Sequence, residues 1–227
     1  PPGTPPGRYQ LELTAYRPDR GDVLEILWLN QEPRRAERLL LGEVDIGPAL
    51  RPVRRDELPP HRKTNAVFGD TVTLLAYTWW ERLYSPGDTL HVDLYWRAER
   101  PLKTDYIWQL SLLAPGGRLL QETAISPGPG TLAGIARPGD IVRAQGNLAL
   151  PGDLTPGDYR LELQLQDVQI GQPLTVRAGW PPRIRNSFWL PALPIQVPPV
   201  PTPIQMAHPA TKHPLAASLG DAIGFLG

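Results

Sequence analysis

The sequence predicts an all-β fold: immunoglobulin-like antiparallel β-sandwich modules, one complete and one partial. Three observations predict it. Several separate runs alternate apolar and polar residues, the period of strands with one buried face. Proline (29) and glycine (21) make up 50 of 227 residues and gather in short clusters between those runs. One motif returns after about 150 residues, so a single architecture is used more than once.

In chain order, residues 1–57 read as a partial sandwich of three or four strands, the back half of a repeat. Gln31 to Leu41 carries Pro33 and reads as a loop or a short helical turn. Residues 61–197 read as the complete sandwich. Its first strand is expected over Phe68 to Tyr77. Leu90, Val92, Leu94 and Trp96 then alternate with Thr89, His91, Asp93 and Tyr95. Tyr106, Trp108, Leu110 and Leu112 repeat the pattern, as do Tyr159, Leu161, Leu163 and Leu165. Arg118 to Ile125, Ile141 to Leu150 and Leu174 to Val176 complete the set. Between them stand Ser85-Pro86-Gly87-Asp88, Pro115-Gly116-Gly117, Arg137-Pro138-Gly139-Asp140 and Thr155-Pro156-Gly157-Asp158. Proline presets φ and glycine accepts positive φ, so each cluster ends one strand and starts the next. Residues 198–214, with prolines at 198, 199, 201, 203 and 209, read as an extended linker. Residues 215–227 read as the first strand of a further repeat, or as a donated strand.

The repeat rests on three matches. Pro5-Pro6-Gly7-Arg8-Tyr9-Gln10-Leu11-Glu12-Leu13 returns as Thr155-Pro156-Gly157-Asp158-Tyr159-Arg160-Leu161-Glu162-Leu163, at an offset of 150. Val44-Asp45-Ile46-Gly47-Pro48 returns loosely as Ile195-Gln196-Val197-Pro198-Pro199, at 151. Phe68-Gly69-Asp70-Thr71-Val72 returns as Leu219-Gly220-Asp221-Ala222-Ile223, again at 151.

Composition excludes several classes. Basic and acidic residues number 23 each, so no net field draws nucleic acid or an anionic membrane. With no cysteine there are no disulfides, thiolate metal sites or cysteine nucleophiles. No apolar run reaches the roughly 18 residues that span a bilayer. The sequence calls for no cofactor. It offers no G-x-S-x-G, no Walker A and no dinucleotide fingerprint. Arginine outnumbers lysine 20 to 3 and asparagine occurs four times. A hot habitat and a biased genomic base composition would each produce that usage.

Few residues stand out as chemistry. His91 and Asp93 share one strand face but lack the third ligand a metal site needs. His61, His208 and His213 fall in loop and linker. Asp70 and Asp88 follow glycines and read as turn caps rather than calcium ligands, which come in groups of six to eight oxygens. Trp79, Trp80, Arg82 and Tyr84 form the densest aromatic cluster. Adjacent tryptophans on a strand point to opposite faces, so one is expected outside, as a platform for a sugar ring or a partner protein. Trp180 and Trp189 flank Pro181-Pro182 and are candidates for the same role. In the tail, Leu219, Ile223, Phe225 and Leu226 are the apolar residues of the expected assembly strand.

Taken together, Phe68-Gly69-Asp70, Ser85 to Ala98, Pro101-Leu102, Asp105-Tyr106, Leu112 to Leu119, Arg137 to Arg143 and Thr155 to Leu161 carry a family resemblance. Residues 61–200 resemble the soluble β-sandwich modules beyond the membrane spans of bacterial dolichyl-phosphate-mannosyltransferase-like glycosyltransferases. The resemblance implies an extracytoplasmic location, with the membrane reached only through other segments of a parent chain. It implies sugar transfer for the parent class, whose catalytic acidic residue lies in membrane-portion loops, so no catalytic residue carries over. The expected function is a non-catalytic structural or assembly module whose partners are copies of itself or other modules of a parent chain. The alternative is a carbohydrate-recognition accessory domain.

Overall fold

The computed structural model describes residues 2–15, 26–27, 35–36, 39–59, 62–79, 83–126, 136–179, 183–196, 217–219 and 223–225. Strands β1 (Gly7–Leu13), β2 (Ile26–Leu27), β3 (Arg35–Ala36) and β4 (Leu39–Ile46) come first. A 3-10 turn at Arg55–Glu57 leads to β5 (Arg62–Phe68), β6 (Val72–Trp79), β7 (Thr89–Ala98) and β8 (Tyr106–Leu113). Next come β9 (Leu119–Ile125), β10 (Ile141–Ala149) and β11 (Gly157–Asp167). The short strands are β12 (Val176–Ala178), β13 (Arg183–Arg185), β14 (Phe188–Trp189), β15 (Leu193–Ile195), β16 (Ala217–Leu219) and β17 (Ile223–Phe225).

The protein is an all-β antiparallel sandwich, as its periodicity predicts. One sheet has the order β10-β7-β6-β5-β12-β13. The other has the order β14-β11-β8-β9, with β15 also on β11. Between them lie the alternating apolar positions: Leu90, Leu94 and Trp96 of β7, Trp108, Leu110 and Leu112 of β8, and Leu161, Leu163 and Leu165 of β11 are all fully buried. Phe68 meets Trp108 edge to face at 5.0 Å, joining the two sheets.

The chain divides into two compact units, Pro1–Tyr9 with Val44–Val197, and Gln10–Glu43 with Pro198–Gly227. The first holds the sandwich. Within the second, β2 pairs with β3 and β16 pairs with β17.

Three elements differ from expectation. The strand expected over Phe68 to Tyr77 is two strands, because β5 ends at Phe68 and β6 begins at Val72. Gly69 (φ 53°) and Asp70 (φ 54°) are both left-handed, the signature of a tight two-residue hairpin turn, closed by the Thr71 amide donating to the Phe68 carbonyl at 3.0 Å. The expected tail strand is likewise a hairpin. Leu219 lies in β16, Ile223 and Phe225 lie in β17, and Leu226 lies outside the described residues. Within Gln31 to Leu41, the described residues 35–36 and 39–41 are strand.

Both ends match the complete sandwich in detail. The tail pairs Ala217 with Phe225, Ser218 with Gly224 and Leu219 with Ile223. Subtracting 151 turns these into the observed pairs Ala66–Leu74, Val67–Thr73 and Phe68–Val72 of β5 and β6. At the other end, the Tyr9 hydroxyl donates to the carbonyl of Pro5 at 2.8 Å, and that of Tyr159 to the carbonyl of Thr155 at 2.8 Å. This is the tyrosine corner of immunoglobulin-type sandwiches. Gly7 (φ 152°) and Gly157 (φ 154°) enter the two corners with one backbone geometry that favours glycine.

The strand β6 is bulged. Its pairing with β7 slips between Leu74 and Ala76, and that of β5 with β6 slips between Lys63 and Ala66. The slip re-aims the strand. Val72 and Leu74 face the other sheet, Leu75 and Ala76 join an outer cluster with Leu58, Tyr95 and Ile141, and Tyr77 and Trp79 face inward again. Arg55 donates to the carbonyls of Thr64 and Leu75, at 3.0 and 3.1 Å, within the two irregular stretches.

Two stability outcomes follow from this packing. Arg55→Met removes the donors to both carbonyls and lowers unfolding free energy by about 1–2 kcal/mol in urea titrations. In β10, a Cβ on Gly146 would stand 2.3 Å from Cγ1 of Ile125. Gly146→Ala therefore costs about 1–3 kcal/mol. Adding Ile125→Ala relieves the clash, so the double variant loses less than the two single penalties combined.

Candidate functional site

The expected platform comes together only in part. Trp79, at the end of β6, is partly buried and stacks on Tyr77 at 5.7 Å with 19° between the rings. The Arg62 guanidinium lies 5.0 Å over the Trp79 ring. Tyr77 in turn meets Phe188 edge-on at 6.1 Å. Burial pushes the Tyr77 hydroxyl pKa up, and nearby Arg62 pulls it part of the way back. Tyr84 is 1% exposed in the core, so it is a packing residue and offers no platform surface. Its carbonyl accepts from the Gln196 amide at 2.8 Å. Trp80, Arg82, Trp180, His61, His208 and His213 lie outside the described residues.

A second aromatic surface forms at Trp189. Phe188 and Trp189 are adjacent on β14, so they face opposite ways: Phe188 packs on the core and Trp189 is 46% exposed. Two arginines stack on the Trp189 ring. Arg160 of β11 sits 4.5 Å from the centroid and Arg185 of β13 sits 4.0 Å away. Arg160 comes from the five-stranded sheet and Arg185 from the edge of the six-stranded one. Sequence alternation places Arg160 on the outward phase of β11. It does not reveal the register of Glu162 with Trp189 that brings the ring alongside.

The charged candidates are taken up by the fold. His91 Nδ1 lies 2.7 Å from the Asn147 side-chain oxygen, and Asp93 accepts from Arg143 at 2.7 Å. Asp88 accepts from the Ser85 amide at 2.9 Å, capping its turn, and Asp70 pairs with Arg177. Among the described residues, no three His, Asp or Glu side chains are grouped to hold a metal ion. None of the described helices is long and apolar enough to cross a membrane.

A cleft of about 520 Å³ opens between residues 53–56 and the outer face of the six-stranded sheet. Its arginines are engaged: Arg55 with Thr64, Asn65 and Leu75, Arg54 with Asp56, and Arg97 with Glu99. The cleft is the seam of a clasp that fixes residues 51–58 to the sandwich.

No protein-family model and no curated protein matches the chain. Among solved structures, the crystal structure of the C-terminal domain of Wzt is similar with a TM-score of 0.41 and 16% identity, over 64% of this chain and 90% of that chain. A likeness that distant carries no functional information.

The clasp has a pH signature. Arg51 donates twice to Glu57, at 2.9 and 2.5 Å, and the Arg54 amide donates at 3.0 Å. The Arg51 bond first, then the amide, lowers the Glu57 pKa to about 2. A depressed acid contributes stability above its unfolded pKa and loses it as pH falls through the folded one. Thermal midpoints should hold near neutrality and fall between pH about 4.5 and about 2, and Glu57→Gln should flatten part of that fall. An identical acid limb in Glu57→Gln would remove Glu57 from the clasp's stability.

Proposed function

We propose that this protein is a non-catalytic extracytoplasmic structural module that assembles by strand complementation between copies of one sandwich. Under this reading, residues 1–57 are the back half of one copy and 61–197 a whole copy. Residues 198–214, which lie outside the described residues, are the linker, and the strands β16 and β17 within 215–227 open a further copy. The observation that carries it is the shared detail at both ends: one hairpin register at an offset of 151 and one tyrosine corner at an offset of 150.

The apolar faces support the same reading. Leu161 and Leu163 of β11 are fully buried in a core that includes Phe68, Val72 and Leu74 of the opening hairpin. Their counterparts in β1, Leu11 and Leu13, share one strand face and are 52% and 50% exposed. A hairpin of the β16–β17 kind, carrying Leu219, Ile223 and Phe225, is the chemical complement of that face. A module of this kind suits the outer part of a membrane glycosyltransferase, as the sequence resemblance implies. The second reading, a carbohydrate-recognition accessory domain, is favoured by the exposed Trp189 between two arginines.

Removing residues 215–227 tests the assembly reading. In sedimentation across a concentration series, the full chain should self-associate and the shortened one should not. A synthetic peptide of residues 215–227 should bind the shortened chain and suppress its binding of an apolar dye. Equal masses for both chains at every concentration, with no peptide binding, would falsify assembly through the tail.

A further inference from the structure

The outer face of the five-stranded sheet, together with Arg185 from the neighbouring edge strand β13, carries a set of side chains that the core and the clasp do not use. Arg160 and Arg185 both stack on Trp189, at 4.5 and 4.0 Å from its centroid. The stack holds each side chain in place without consuming its N–H donors. Neither guanidinium makes a hydrogen bond or an ion pair among the described residues. Glu162, the register partner of Trp189, forms no ion pair with either one. Each guanidinium stacked on the ring, with its five donors free among the described residues, is a fork already ordered for an oxyanion. Ordering the fork beforehand spares a ligand the rotamer entropy that loose arginines would cost.

The neighbouring positions give the ligand its second property. On the same outward phase of the sheet, Gln164 pairs in register with Gln109, and Glu162 with Ser111. All four side chains are partly exposed, and their amide, carboxylate and hydroxyl groups suit sugar hydroxyls better than a bare polyanion. Strands hold these groups in a fixed row, so a chain of sugar units can be read along them.

We propose that this face binds a saccharide bearing carboxylate or phosphate groups. Arg160 and Arg185 hold the anion, Trp189 orders them, and Gln109, Ser111 and Gln164 meet hydroxyls. The saccharide part of this proposal rests on the carbohydrate reading above; the anion part rests on the two arginines.

Calorimetric titration of the full chain tests it, with polygalacturonate as the acidic saccharide, dextran as the neutral one, and polyglutamate and inorganic phosphate as anions without sugar. Polygalacturonate should bind at least tenfold more tightly than any of the other three. Arg160→Ala, Arg185→Ala and Trp189→Ala should each weaken it at least tenfold while keeping the wild-type unfolding midpoint. Arg160→Lys with Arg185→Lys keeps the charge but loses the fork, and should also weaken binding. Equal binding of polyglutamate overturns the saccharide assignment. Binding of dextran that the arginine variants leave unchanged keeps the carbohydrate reading and overturns this site. No binding of polygalacturonate overturns the site as well.

Discussion

The bulge in β6 is the constraint on which the arrangement of the sandwich depends. A regular strand from Val72 to Trp79 would send Leu75, Tyr77 and Trp79 to the same side, opposite Val72 and Leu74. The slip between Leu74 and Ala76 changes that phase once. Tyr77 and Trp79 turn in toward Phe188 at the end of the core, while Leu75 and Ala76 stay outside. The outward pair makes an apolar seat for Val53 and Leu58, and Arg55 satisfies carbonyls in the irregular stretches. The clasp over residues 51–58 thus exists because the strand is bulged, and the bulge is tolerable because the clasp supplies its missing donors.

This also explains what was legible in the sequence. Strands β7, β8 and β11 could be read residue by residue, because each has one buried face and one wet face over four or more alternations. Trp96 and Trp108 were readable as core for the same reason. The bulge was not legible, since Leu74-Leu75-Ala76 is apolar on both phases and gives alternation nothing to reveal. The turn at Gly69-Asp70 was hidden by the apolar residues on either side, although glycine followed by aspartate suits a left-handed pair. The tail repeats the pattern, with Gly220-Asp221 flanked by apolar residues in the same way. Tyr84 is near Trp79 in sequence, but it lies beyond the end of β6 and enters the core beside Ile195. The Trp189 site joins residues 160, 185 and 189 from three strands, and only the register brings them together.

The tyrosine corners are a stronger sign of a shared design than sequence identity over the same stretch. A corner needs a glycine of unusual φ, a tyrosine two residues on, and a carbonyl four residues before that tyrosine. All three are present at both places with the same 2.8 Å bond. Yet Tyr159 is buried under a full set of partner strands, and the leucines that follow Tyr9 stand half in water. Local geometry is therefore encoded within a few residues, while burial is not. It depends on which strands pack over the apolar face, and the half-exposed leucines of β1 are what the proposed complementation would cover.

The two proposed roles, assembly and recognition, draw on different surfaces. The inner faces of both sheets are spent on the core, and the clasp covers part of the outer face of the six-stranded sheet over Leu75, Ala76 and Tyr95. The proposed strand complementation would use the apolar face of β1 that carries Leu11 and Leu13. What remains is the outer face of β11 and β8, where alternation places polar residues that are partly exposed. An arginine on such a face ordinarily gains little from a surface ion pair and keeps its rotamer freedom. Arg160 and Arg185 instead give up that freedom to a tryptophan that stays 46% exposed. Each stack is worth about 0.5–1 kcal/mol at an exposed site, enough to order the side chain but too little to matter greatly for folding. The proposed anion binding gives that ordering a use, because the stacked guanidiniums keep their donors free among the described residues.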